Sequence, residues 1–147
     1  MKKHLLISLL SICMLSSCFS QQLVKKQSDL RLLIDQQERF INKPLKELLK
    51  EIKPPIKFAL GKDAKDHGMP ANITFKFVTH QEYLILKEVN KFPLTLIIYV
   101  KEEKIDWYDL SKRTKETITS WTADDLRKYG DLTVIGIEVY GEATTDN

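Results

Sequence analysis

Asp63, Asp66 and His67 lie close together in the polar segment Lys62-Asp63-Ala64-Lys65-Asp66-His67-Gly68. Two carboxylates and an imidazole could offer oxygen and nitrogen ligands to a metal ion, but their spacing fits no recognised site. Lys62 and Lys65 stand beside the acids, so a solvated loop is the simpler expectation. His80 is the remaining histidine outside the first residues. No serine or cysteine stands near it in a frame that would make it a general base. Asp124 and Asp125 are adjacent. On a helix such neighbours point about 100° apart, so they do not converge as an acid/base pair and read instead as helix-start acids. Trp107, Tyr108 and Trp121 could stack a flat ligand, or could simply close one end of a core. An enzyme would need Asp63, Asp66, His67 and His80 to converge. Glycine-rich phosphate loops, Gly-x-Ser-x-Gly and His-Glu-x-x-His do not occur. Cofactor and metal are therefore both expected to be none.

Both cysteines, Cys13 and Cys18, fall within the first eighteen residues. The body thus has no thiol nucleophile and no thiolate zinc site. Met1-Lys2-Lys3-His4 is a basic start, followed by the apolar run Leu5–Leu15, interrupted only by Ser8 and Ser11. That run is shorter than the ~20 residues a membrane-spanning helix needs, and it reads as a secretory signal. Leu15-Ser16-Ser17-Cys18 resembles the bacterial lipobox. The resemblance implies a signal peptide over 1–17, a diacylated Cys18 as first mature residue and attachment to a membrane. The alternative is cleavage after Ser20, which would release a soluble periplasmic or secreted chain. Phe19 is not the aspartate that favours inner-membrane retention in some bacteria, so the outer membrane, periplasmic side, is expected by analogy. Removing Lys2 and Lys3 with the leader takes 23 basic residues to 21, against 20 acidic ones. Such balance is no footprint for nucleic acid, which wants a clustered basic face. Lys53, Lys57, Lys62 and Lys65 are interleaved with acids and read as a solvated face.

The elements that must carry these residues follow from periodicity. Residues 18–27 read as the lipidated cysteine and a loose tether, 28–141 as one domain and 142–147 as a tail. Ser28 is expected to cap a three-turn amphipathic helix with Leu30, Leu33, Ile34, Gln37, Phe40 and Ile41 inward. Asn42 ends it, Pro44 starts a second helix, and Pro54-Pro55 stops that one. Ile56/Phe58/Leu60 and Ile73/Phe75/Phe77 alternate as strands. Thr79-x-x-Glu82 is a capping box that predicts a short helix to about Asn90, although Tyr83, Ile85 and Val89 would also fit a strand. Leu94–Val100 is apolar on both faces, apart from Thr95, and is expected in the middle of the sheet with cover on each side, or at least over most of both faces. Asp109 can start a short helix. Thr122-x-x-Asp125, with Trp121 stapled to Leu126, predicts another helix that ends at Gly130 as its C′ residue. Leu132–Tyr140 is the last strand. The fold class expected is α+β, in the order ααββ(α)βαβ. Four strands form a mixed or antiparallel sheet with helices mainly on one face, the strand order left open.

Phe40-Ile41-Asn42-Lys43-Pro44-Leu45-x-x-Leu48-Leu49, Pro93-Leu94-x-Leu96-x-Ile98-Tyr99, Trp121-Thr122 and Ile137-x-Val139-Tyr140-Gly141 together resemble a group of small exported proteins and lipoproteins of Bacteroidota-type bacteria. Those motifs are structural. The resemblance implies export but no activity and no catalytic residue. The functional expectation is a non-catalytic envelope module, held by Cys18 and meeting an envelope protein. The alternative is a soluble periplasmic domain that binds a small ligand beside Trp107, Tyr108 and Trp121.

Overall fold

Four strands pair in sequence order into one antiparallel meander: β1 (Phe58–Lys62), β2 (Asn72–Lys76), β3 (Thr95–Val100) and β4 (Val134–Tyr140). The computed structural model describes residues 22–65, 68–109 and 117–144. Cys18, Asp66, His67 and residues 145–147 of the expected tail lie outside them. Among the described residues four α-helices accompany the sheet: α1 (Leu32–Asp35), α2 (Leu45–Leu49), α3 (His80–Glu88) and α4 (Ala123–Tyr129).

The core lies on one face of the sheet. Ala59, Ile73, Phe75, Leu96, Ile98, Val134, Ile137 and Val139 point into it from the strands. Leu30, Leu33, Phe40, Leu45, Leu48 and Tyr129 close over them from the helical segments. β4 shows why its apolar spacing changes phase. Tyr99 pairs with Gly136 and Val100 with Val134, so Ile135 is the extra residue of a β-bulge. The bulge sends Ile135 outward and returns Ile137 and Val139 to the core.

Both capping boxes form as predicted. Thr79 Oγ1 accepts from Glu82 N–H, and the Glu82 carboxylate accepts from Thr79 N–H at 2.7 Å. Thr122 and Asp125 make the same reciprocal pair, with Asp125 buried. Other details differ from expectation. The three-turn first helix is broken into a 3₁₀ turn (Gln27–Arg31), α1 and a second 3₁₀ turn (Gln37–Arg39). Asp29 rather than Ser28 organises its start, accepting from the N–H groups of Lys25 and Lys26. Asn42 and Lys43 pair instead with Val134 of β4, and Asn42 takes φ 61°. That edge pairing competes with a continuous helix and covers part of the exposed strand. Gly130 keeps a right-handed φ of −63°, so it is not a left-handed C′ residue. The body also begins earlier than Ser28. Val24 is fully buried and pairs with Ile52, so 22–27 is held rather than a loose tether. At the other end Glu142 pairs with Phe92 and Leu94, which places it in the body and not in a tail.

Candidate functional site

The second face of the sheet is a grid set by the strand register. Phe58, Lys76, Thr95 and Tyr140 form one row across the four strands. Leu60, Thr74, Ile97 and Glu138 form the next, and Lys62, Asn72, Tyr99 and Gly136 the third. Cover over this face is partial. α3 reaches only its first row, where Phe58 stacks on His80 and Tyr83 at ring separations of 5.2 and 6.0 Å. Ile97 and Tyr99 stay half-buried. The expectation of cover over most of both faces of the central strand is thus corrected: among the described residues, one short helix roofs one end of the second face.

Lys76 is the unusual residue of that face. It is 5% exposed and sits mid-sheet, where a threonine or valine would be ordinary. Its Nζ donates to Thr95 Oγ1 at 2.6 Å, and that hydroxyl donates to the Pro93 carbonyl oxygen at 3.0 Å. The ammonium lies 4.5 Å from the centre of the Tyr83 ring and 5.7 Å from that of Tyr140. Those are cation–π distances. Among the described residues no carboxylate is within ion-pairing distance of it. Burial pushes its pKa down to about 8. Glu138, in the next row of the open face, accepts from Tyr99 Oη at 2.7 Å, which raises the Tyr99 pKa. Above Lys76 opens a cleft of about 310 Å³. Tyr83, Tyr99 and Tyr140 border it, with Lys62 and Lys65 among its other lining residues.

A second groove, of about 570 Å³, lies between α2, the Pro54–Ile56 segment and α4. Trp121 and Leu126 line it with Leu49 and Ile52. Most of its cations are already matched: Lys46 pairs with Asp131, Lys50 with Glu47 and Arg127 with Asp124. An ionic ligand would have to displace those partners.

The residues singled out from sequence are dispersed. Asp63 accepts from the backbone N–H groups of Ile105 and Asp106, at 2.6 and 3.1 Å, and so fixes a turn. His80 is exposed against Phe58. Asp124 lies on the surface and Asp125 is turned inward as a cap. Trp107 is 1% exposed, stacks on Trp121 and Tyr129, and donates from Nε1 to the Ile118 carbonyl. Tyr108 is 55% exposed, and Trp121 lines the groove between α2 and α4. These aromatics therefore do not form one ligand platform. Among the described residues no cluster of histidine, cysteine and carboxylate could hold a metal. Lys53, Lys57, Lys62 and Lys65 are all exposed. Sequence reasoning passed over Lys76 because, in an alternating strand, a lysine between Phe75 and Phe77 reads as a solvent-facing residue. Comparison with family models, with curated proteins and with solved structures gave no match.

Proposed function

We propose that this chain is an exported binding module, held at the cell envelope through a lipidated Cys18 and acting by recognition rather than catalysis. Its recognition surface is α3 together with the open sheet face. One observation carries this reading: α3 buries none of its own residues and exposes Leu84 and Ile85 to solvent, with Val89 exposed at its C-cap. A nine-residue helix of that kind is marginal unless something packs on it. Exposed apolar side chains at such a site mark a surface for a protein partner. The Leu15-Ser16-Ser17-Cys18 motif supports the anchor, and no described helix is long and apolar enough to cross a membrane.

The test places a photo-crosslinking residue at Ile85 in cells and recovers the adduct from envelopes. One reproducible partner is expected, lost in the variant Ile85→Asp. Repeated recovery of no adduct would reject the interaction reading. A second reading, a soluble periplasmic small-ligand binder, is favoured by the Lys76 cleft, whose volume is at the lower end of known ligand sites.

A further inference from the structure

The Lys76 ammonium is an incomplete arrangement. An ammonium has three donors, and among the described residues only Thr95 Oγ1 takes one. Burying a cation is costly unless an opposite charge answers it. Here two aromatic faces and one hydroxyl answer it, and no described carboxylate does. The space next to it is lined by three lysines, Lys62, Lys65 and Lys76, against one aspartate. That aspartate, Asp63, is held by backbone N–H groups, and Glu138 beside the cleft is held by Tyr99 Oη, so the three lysines still outnumber the two carboxylates. The walls are aromatic: Tyr83 from α3 and Tyr140 from β4 flank the ammonium, and Ile97 lies on the floor.

We propose that the cleft over Lys76 binds a small organic carboxylate. The carboxylate oxygens accept the two remaining Lys76 N–H donors, and a flat apolar body lies against Tyr83 and Tyr140. A monoanion is specified because a single buried ammonium balances one negative charge. A phosphate dianion would want more fixed donors than this floor provides. The assignment rests on the small-ligand reading of this face and is tested separately from the protein-partner reading, which uses the exposed side of α3.

The probe is benzoate, titrated into the purified full chain in mild detergent by calorimetry and by amide chemical shifts. Benzamide and inorganic phosphate serve as controls. Benzoate is expected to saturate at or below about 1 mM, with shifts at Lys76, Thr95 and Tyr140. Benzamide, the neutral isostere, is expected to bind about tenfold more weakly or worse, which corresponds to ~1.4 kcal/mol. Lys76→Met is expected to weaken benzoate by at least about tenfold, and Lys62→Met, at the mouth, by only about two- to threefold. If Lys76→Met fails to fold, Tyr140→Ala tests the same wall from an exposed position, with about a fivefold loss expected. Equal affinity for benzoate and benzamide would overturn the charge assignment. Tighter binding of phosphate would overturn the monoanion assignment. No benzoate binding, or unchanged binding in Lys76→Met or Tyr140→Ala, would overturn the site itself. If the site fails while the Ile85 crosslink still traps a partner, only this inference falls.

Discussion

At the scale of single residues, Lys76 and Gly61 show how much one side chain, or its lack, decides. Burial lowers the Lys76 pKa to about 8, from an ordinary 10.5. Between those values the unfolded chain binds more protons than the folded one, so stability rises with pH across that window. Below pH 8 the full penalty of the buried ammonium is present, and above 10.5 it is gone. Tyr99 works the other way, because its raised pKa makes ionisation harder in the folded state. The measurement is therefore a comparison of urea unfolding for the native chain and Lys76→Met at several pH values. The native chain is expected to gain stability from pH 8 to 10.5 relative to the variant, and parallel curves would remove the burial argument. Gly61 is a seat of a different kind. A Cβ added there would lie 2.6 Å from Trp107 Cε3 and 2.9 Å from Trp107 Cβ. Gly61→Ala must push the indole out of its buried place, at a cost of about 1–3 kcal/mol. A lower urea midpoint and a red-shifted tryptophan emission are expected.

At the scale of elements, two helices with the same start signal have different weight. Thr79/Glu82 and Thr122/Asp125 both form capping boxes, and each cap is worth about 1 kcal/mol. α4 puts Asp125 and Tyr129 into the buried interior, so its cap is coupled to the core. α3 buries nothing and rests on the Phe58 stack through His80 and Tyr83. Asp125→Ala is therefore expected to lower global stability by about 0.5–2 kcal/mol in denaturant titration. Thr79→Ala is expected to leave the global midpoint nearly unchanged. Its effect should be faster hydrogen exchange confined to α3, which opens independently of the core. Equal global losses in both variants would contradict this division. The sequence made both helix starts legible, because a capping box is a local hydrogen-bond exchange. It did not reveal the break near Gln36, because that break depends on Asn42 and Lys43 pairing with β4, about ninety residues away along the chain.

At the scale of the whole molecule, the helical layer and the open face have separate roles. Leu96, Ile98 and Val100 of β3 are buried under the helical layer, and truncation there should be felt everywhere. Ile98→Ala is expected to cost about 2–5 kcal/mol in a single cooperative unfolding transition. The chain enters this layer at Gln22 and Val24, which bond to Lys50 and Glu51, so the proposed anchor at Cys18 lies only a few residues away along the chain. Cys18→Ala is expected to shift the protein from the membrane fraction to the soluble fraction, and mass spectrometry should find acyl mass on the native mature terminus alone. An unacylated chain starting at Gln21 would refute the anchor and favour simple secretion.

Periodicity, caps and the placement of both cysteines near the start are properties of neighbours in the chain, and the sequence alone determined them. From these came the α+β class, the central place of Leu94–Val100, both capping boxes and a body without thiols. Register and sidedness belong to segments far apart, and only the tertiary structure decided them. An apolar strand looks the same from either face until helices cover one of them. Lys76 looks like a surface lysine until pairing sets it beside Thr95 and α3 lays Tyr83 over it. Trp107 looks like an open platform until Gly61 gives it a place inside.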